Sequence, residues 1–144
     1  HTPGHISIPD ETARVLVSGD AVTGDGDKVA PPGEEFTEDM DVALLYDGFT
    51  FNAVSWLEAL GFCGLGEATD FVAGGKTIAL DGDLPPNPHG GQLSAGRLHG
   101  YGFVREAILQ LRGAAGTRQV PDARVAVVSN GGGVPSGAIL LRRD

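Results

Sequence analysis

Residues 87–102 read NPHGGQLSAGRLHGYG, a stretch in which five glycines alternate with side chains that can accept or donate protons. A glycine lacks a Cβ, so the backbone there can adopt positive φ and approach a ligand closely. A loop of this length without structure of its own is usually functional or disordered, and the apolar Leu93 and Leu98 argue against disorder. We therefore predict an active-site loop; a long flexible connector is the alternative.

Strand and helix patterns surround this loop and predict an α/β fold. Apolar runs of strand length occupy residues 13–18, 42–46, 77–80, 124–128 and 138–141. Helical spacing occupies residues 52–60, 67–72 and 103–111. The linker between the last two strands is too short for a helical crossover, so we expect those strands to pair antiparallel.

Charge divides the chain into two regions. Residues 1–41 hold ten acidic and two basic residues, which accounts for eight of the nine excess negative charges. We therefore assign 1–40 as an acidic, Gly/Pro-rich segment, either a loop or a lid, and 41–144 as the folded domain. A nearly neutral domain without a basic cluster does not fit nucleic-acid binding, in which phosphate neutralisation supplies much of the affinity.

The rest of the composition favours a cytoplasmic protein. The chain has one cysteine, Cys63, and therefore no internal disulfide, which fits a reducing compartment. We expect Cys63 to be a small buried side chain rather than a nucleophile. No apolar run reaches the length of a membrane span. We expect no metal site, because His1, His5 and Asp10 lack a diagnostic spacing.

Two further motifs accompany the glycine loop: DVALLYDGF at residues 41–49 and VAVVSNGGG at residues 125–133. In order and spacing, the three motifs resemble the C-terminal half of the thiolase superfamily. The resemblance is strongest to sterol-carrier-type thiolases and to thiolase-like lipid-transfer proteins of the retro-aldolase branch. It implies a mixed five-stranded sheet covered by helices, and a site for an acyl-CoA thioester. The family's nucleophilic cysteine lies in the N-terminal half, and this chain, which starts at His1 without a Met, is expected to be truncated or processed.

The first motif places Tyr46 where similar thiolases have the first residue of His-Asp-Cys-Phe or Asn-Glu-Ala-Phe. That residue helps to hold a water or an oxyanion over the thioester, and a tyrosine hydroxyl can donate a hydrogen bond or shuttle a proton. We therefore expect Tyr46 and Asp47 to be catalytic, and Gly48 and Phe49 to contact substrate. The alternative for Tyr46 is a strand-ending tyrosine bonded to backbone.

The glycine loop departs from the family at Arg97, which replaces the histidine of Gly-His-Pro. An arginine is not a base near neutral pH, so chemistry through a Cys-His pair is not expected. We expect Tyr101 and His99 to be catalytic instead, although His99 fits a partly buried structural ring equally well. Arg97, Gly90 and Gly91 are expected to contact substrate, whereas Asn87 and His89 are interpreted as loop architecture or a second layer behind the site.

The last motif has Ser129 where similar thiolases have an acid-base cysteine. Serine is a poor proton acceptor without an adjacent base, but the glycines that follow Asn130, among them Gly131 and Gly132, can present amides to a thioester oxygen. We expect all four residues to contact substrate. A purely structural role is equally consistent with Ser129.

The resemblance to the retro-aldolase branch implies a carbon–carbon lyase that cleaves a steroid side-chain β-hydroxyacyl-CoA by a retro-aldol reaction, giving a ketosteroid and propionyl-CoA; the two tyrosines and the glycine amides meet the needs of that reaction. The alternatives are an acyl-CoA acyltransferase with altered acid-base residues and a non-catalytic acyl-CoA or lipid-binding scaffold. The resemblance implies no bound cofactor, with coenzyme A as part of the substrate. It also implies a homodimer, and a partner built from a zinc ribbon and an OB-fold.

Overall fold

A computed structural model describes residues 39–132 and 136–143 with their side chains, together with Thr37 and the backbone of four short N-terminal strands. The residues His1, His5, Asp10 and Gly133 lie outside the described part of the chain.

The central sheet is mixed. Its strands are β1 (Ile6–Ile8), β2 (Val15–Gly19), β5 (Val42–Leu44), β6 (Val125–Asn130) and β7 (Gly137–Arg143), in the spatial order β1-β2-β7-β6-β5. Among the described strands, only β5 and β6 run parallel to each other, with Ala43 opposite Val127; the other neighbouring strands are antiparallel. A separate two-stranded ribbon pairs β3 (Gly24–Asp25) with β4 (Lys28–Val29).

Four helices accompany the sheet in the described part of the chain. They are α1 (Thr50–Ala59), α2 (Ala68–Phe71), α3 (Gly91–Ala95) and α4 (Tyr101–Leu111), and a 3₁₀ turn follows at Gly116–Arg118. The helix expected at 103–111 begins two residues earlier, so Tyr101 is its first residue. The glycine loop contains α3, which the sequence pattern did not predict, because five residues are too few to show helical periodicity.

The prediction of an α/β fold with a mixed sheet and an antiparallel last pair is confirmed. The prediction of five strands within the thiolase-like domain is wrong, because the described residues of 41–144 contribute only β5, β6 and β7. The expected strand at 77–80 forms local turns instead: Gly82 N donates to Ala79 O at 2.9 Å and Leu84 N donates to Thr77 O at 3.0 Å. These short-range hydrogen bonds use the backbone groups that a sheet would need.

Two apolar layers cover the two faces of the sheet. On one face, Phe103, Ala107 and Leu111 of α4 pack on β5 and β6, and each is at most 1% exposed. On the other face, Trp56 and Leu57 of α1 form a second core with residues of the same strands. Because side chains alternate along a strand, a three-residue strand such as β5 supplies both layers.

A buried polar network fixes the C-terminal part of α4. Glu106 is 1% exposed and accepts hydrogen bonds from Arg118 at 3.0 and 3.2 Å and from Gln110 Nε2 at 3.0 Å. Burial alone raises the pKa of a carboxyl group, but these hydrogen bonds and the Arg118 charge outweigh it and hold the pKa of Glu106 below its ordinary value of 4.5. The network ties α4 to the 3₁₀ turn.

In the part of the chain that the structure describes, no helix combines the length and apolarity that crossing a bilayer requires.

Candidate active site

The candidate site lies at the edge of the sheet where the parallel strands β5 and β6 both end. Tyr46 leaves β5 two residues after Leu44, and its backbone N–H donates to the hydroxyl of Ser129 at 2.9 Å. Ser129 is 0% exposed. The serine therefore fixes the separation of the two strand ends, and its buried hydroxyl is not presented to a substrate.

The phenol ring of Tyr46 lies between two glycines. A Cβ added to Gly48 would stand 2.5 Å from the Tyr46 hydroxyl oxygen, and one added to Gly132 would stand 3.3 Å from its Cε1. Real Cβ atoms do not approach as closely as the first contact, so a side chain at Gly48 would displace the phenol. The missing side chains of these glycines thus define the position of the Tyr46 ring.

Asp47 connects the end of β5 to the glycine loop. Its side chain is buried, and Oδ1 accepts a hydrogen bond from Gln92 N at 2.8 Å. Gly91 has φ +62°, and a Cβ at this position would collide with the Asp47 carboxylate. The carboxylate therefore accepts a hydrogen bond from a backbone N–H in the first turn of α3, where the helix dipole stabilises an anionic group.

Asn87 completes the sheet edge beside β5. Leu45 N donates to Asn87 Oδ1 at 2.7 Å, and Asn87 Nδ2 donates back to Leu45 O at 2.8 Å. Asn87 N also donates to Ala43 O at 2.8 Å, and Ala43 N donates to Pro85 O at 3.3 Å. The segment 85–87 thus stands in for a neighbouring strand immediately before Tyr46, which supports the interpretation of Asn87 as loop architecture.

Two residues of α1 hold the loop after β6, and sequence reasoning missed both. Trp56 Nε1 donates to Gly131 O at 2.8 Å. Asn52 Oδ1 accepts a hydrogen bond from Phe49 N at 3.0 Å, and its Nδ2 atom would lie 2.5 Å from a Cβ on Gly132. The available signal was Asn52 itself, a polar residue in the first turn of an apolar helix.

A cavity of about 490 Å³ opens beside this edge, between the start of α4 and the strands β6 and β7. Its described lining comprises His99, Gly100, Tyr101, Val104, Val128, Asn130, Ser136, Gly137, Ala138 and Ile139. The predicted residues His99, Tyr101 and Asn130 therefore meet at one opening. Tyr46 is not among the described lining residues; it belongs to the adjacent cluster with Gly48 and Gly132.

The two clusters are linked through the last motif. The Asn130 side chain lies against Gly100, since a Cβ on Gly100 would be 3.3 Å from Asn130 Cγ. Two residues further along, Gly132 lies against the Tyr46 ring. Residues 130–132 thus form the boundary between the cavity and the Tyr46 phenol.

Several predicted side chains, those of the cavity lining included, face solvent. Arg97 and His99 are exposed, and Phe49 and Tyr101 expose 76% and 78% of their surface. Gly90 has φ +91° and precedes α3. These side chains are available to a ligand from solvent, in contrast to Ser129.

His89 forms part of the layer behind the glycine loop. Its ring meets Phe103 edge to face, with centroids 5.5 Å apart, and its Nδ1 is buried without a hydrogen-bond partner among the described residues. Burial lowers the pKa of His89 below its ordinary value of 6.5, although the nearby carboxylates of Glu106 and Asp47 act in the opposite direction. His89 is therefore a neutral packing residue at neutral pH.

Cys63 is half-buried against the α1 core rather than fully buried. Burial raises the pKa of its thiol, and the carboxylates of Glu58 and Glu67 raise it further. A thiol with a raised pKa is a poor nucleophile. Among the described residues, no group of three or more His, Cys, Asp or Glu side chains is arranged to hold a metal ion.

Comparison with known proteins shows which family this chain matches. Residues 34–141 match the model of the thiolase C-terminal domain-like family. The chain is 44% identical over 103 residues to the 17-hydroxy-3-oxo-4-pregnene-20-carboxyl-CoA lyase of Mycobacterium tuberculosis, covering 72% of this chain and 26% of that protein. It is 42% identical over 106 residues to the steroid side-chain-cleaving aldolase of Thermomonospora curvata, covering 74% of this chain and 27% of that protein.

A solved structure agrees with these sequence relatives. The Ltp2-ChsH2(DUF35) aldolase superimposes with a TM-score of 0.70 at 41% identity, over 74% of this chain and 28% of that one. The chain thus spans about a quarter of the length of the proteins that it matches.

Proposed function

The chain belongs to the thiolase C-terminal domain-like family, and on that premise we propose that the protein is a retro-aldolase, a carbon–carbon lyase that cleaves a steroid side-chain β-hydroxyacyl-CoA. The observation that carries the proposal is the Tyr46 phenol, held against Gly48 and Gly132 at the sheet edge beside the opening that contains Tyr101. Both sequence relatives are named for cleavage of steroid side chains or for a steroid acyl-CoA lyase.

The reaction needs one base, one oxyanion site and one acid. A base removes the proton of the hydroxyl group on the β-carbon, the bond between the α- and β-carbons breaks, and its electron pair forms the thioester enolate. The β-carbon becomes a ketone, and protonation of the enolate α-carbon yields propionyl-CoA when the α-carbon carries a methyl group. These steps require neither a covalent bond to a cysteine nor an oxidant.

We assign the proton transfers to Tyr46 and Tyr101, with His99 orienting or tuning them. The amides of Gly91, Gly131 and Gly132 are assigned as hydrogen-bond donors for the thioester oxygen, as in oxyanion sites. The Gly90 N–H already donates to Asn87 O at 2.8 Å, so Gly90 contributes to the shape of the loop rather than a donor. Asp47 and Ser129 become positioning residues because their side chains are buried and bonded to backbone N–H groups.

The solvent-facing residues are assigned to the rest of the acyl-CoA. Arg97 is exposed on the glycine loop, and its guanidinium suits the phosphates of coenzyme A. Gly48, Phe49 and Asn130 contact the acyl portion. No cofactor besides the substrate's own coenzyme A enters the proposal.

We further propose a homodimer that works with a second protein built from a zinc ribbon and an OB-fold. The name of the solved relative, Ltp2-ChsH2(DUF35), joins two proteins and supports the second part. The single cysteine supports a reducing, cytoplasmic location.

The test is steady-state cleavage of 17-hydroxy-3-oxo-4-pregnene-20-carboxyl-CoA by the full-length protein with its partner. Formation of the 17-ketosteroid and propionyl-CoA is expected from the wild type. Removal of a general acid or base costs about 10²–10⁴-fold in rate, so Tyr46→Phe and Tyr101→Phe should lower kcat to that extent while keeping the thermal unfolding midpoint. Full activity in both variants would refute the phenol mechanism. A wild type that instead condenses or thiolyses acyl-CoA would be an acyltransferase, and an inert one would be a scaffold.

A further inference from the structure

We propose that the cavity between α4 and the strands β6 and β7 binds the apolar ring system of the substrate, an inference that rests on the proposed function and locates the steroid within the site. The cavity is the described opening that combines predicted site residues with an apolar floor. Neither the family resemblance nor the names of the relatives assign these residues to ring binding.

The size and lining of the cavity fit a rigid apolar ligand. A volume of about 490 Å³ falls within the range of about 300–1,000 Å³ that is common for small-molecule sites. Val104, Val128 and Ile139 come from three different elements and converge on it. None of the described lining residues is Asp, Glu, Lys or Arg, so a fused hydrocarbon ring would meet no fixed charge there.

The described polar lining residues are His99, Tyr101, Asn130 and Ser136, and they give the ligand an orientation. Asn130 lies against Gly100, and His99 and Tyr101 follow at the start of α4. Asn130 directly precedes Gly131 and Gly132, where the Tyr46 ring lies. A ring system seated on the aliphatic floor would thus direct its hydroxyl-bearing carbon to Asn130 and Tyr101, and its thioester to the glycine amides.

The experiment measures equilibrium binding of androst-4-ene-3,17-dione and, separately, of propionyl-CoA to the full-length protein. The variant Val104→Trp fills the cavity from α4. The matched control is Ile108→Trp, one turn further along the same helix, where the residue is also half-buried but does not line the cavity. We expect Val104→Trp to weaken ketosteroid binding at least tenfold and to leave propionyl-CoA binding within twofold, with both ligands unaffected in Ile108→Trp.

A second variant, Ile139→Trp, fills the cavity from β7 and keeps the test valid if Val104→Trp does not fold. Unchanged ketosteroid binding in a folded cavity-filling variant would overturn the inference, and so would an equal loss in the Ile108→Trp control. These outcomes differ from failure of the proposed function, because binding of the ketosteroid product requires no turnover. If both phenylalanine variants keep full activity but Val104→Trp loses the ketosteroid, the mechanism fails and the ring site stands.

Discussion

Gly91 shows how one missing side chain sets the geometry of the site. Its φ of +62° is strained for any other residue, and the Asp47 carboxylate occupies the space where a Cβ would be. The sequence indicated that glycines here allow close approach of the backbone. It did not indicate that the group approached is a carboxylate from the preceding motif, because that contact joins residues more than forty positions apart.

Replacement of Gly91 by alanine should therefore be more destabilising than the backbone strain alone. The left-handed conformation costs about 1–2 kcal/mol, and forcing a methyl group into an occupied space adds about 1–3 kcal/mol. The control is Gly113→Ala, with φ +67° and no atom within 4 Å of the added Cβ, which should show only the first cost. Urea unfolding measures both variants, and equal losses would contradict the Asp47 contact.

The sequence indicates where the two tyrosines lie, but not the surroundings of Ser129 and Asp47. Tyr46 and Tyr101 were selected by motif position, and the structure places them in adjacent clusters. Ser129 could not be assigned because its environment depends on the Tyr46 amide, which reaches it across the sheet. Asp47 was grouped with the catalytic residues because a strand-ending carboxylate suggests proton transfer, whereas its hydrogen bond to Gln92 depends on where the loop folds back.

The segment 85–87 acts as a short substitute strand beside β5, and Asn87 contributes its amide to that role. Asn87 itself has φ +47°. Asn87→Gly would relieve the backbone and remove only the two side-chain hydrogen bonds to Leu45. Since the Leu45 groups are buried, we expect a loss of about 1–3 kcal/mol in the free energy of unfolding.

Because Tyr46 and Asp47 follow Leu45 directly, the Asn87→Gly variant should also show a lower kcat per folded molecule at unchanged KM. The control Asp122→Gly relieves a similar positive φ of 52° at an exposed position, and should retain both stability and activity. An Asn87→Gly protein with normal kcat after correction for the folded fraction would show that the segment supports only the fold.

Two ionisable groups near α4, the half-buried His89 and the buried Glu106, predict how stability depends on pH. The folded pKa of His89 is lowered, so the unfolded chain binds a proton first, and stability should fall as the pH drops below about 6.5. The folded pKa of Glu106 is also lowered, so its contribution is present above about 4.5 and is lost as the pH falls through and below that value.

Thermal unfolding midpoints between pH 7 and pH 3.5 should therefore decrease in two phases. His89→Leu should flatten the upper phase and Glu106→Gln the lower one. If either substitution leaves its phase unchanged, that residue is not the group that titrates.

Predictions of helices and strands succeeded where burial leaves a clear pattern in the sequence, either an apolar stripe on one face of a helix or an apolar run in a strand that is covered on both faces. The stripe of Phe103, Ala107 and Leu111 identified α4, and the apolar runs identified β5, β6 and β7. The run at 77–80 has the same local pattern, but it lies between glycine-containing turns, and its backbone forms hydrogen bonds within the segment instead of pairing with a strand. Local pattern could not distinguish the two cases because strand formation requires a partner.

The central sheet combines strands from the acidic segment 1–40 with strands from the folded domain 41–144. β2 pairs with β7 over Val15–Gly19, although β2 belongs to the acidic segment. The strand expected at residues 13–18 is thus found, shifted by one or two positions. The assignment of 1–40 as a loop or lid stays a prediction, as does the boundary at residue 41.

Removal of residues 1–40 should promote self-association. The deletion unpairs the outer edge of β7 and removes most of the net negative charge; an exposed strand edge and a net charge near zero both favour aggregation. Sedimentation velocity should show larger species that increase with concentration, compared with the full chain at the same ionic strength. A truncated chain that stays the same size would indicate that β2 does not protect this edge.

The hydrogen bond between Trp56 and Gly131 has an optical consequence. Trp56 is the only tryptophan of the chain, and its indole is 8% exposed while bonded to the loop beside the Tyr46 phenol. The indole emission is therefore sensitive to the position of the Gly131 carbonyl, and no added label is needed. A shift in its emission maximum when acyl-CoA is added would report movement of that loop in real time.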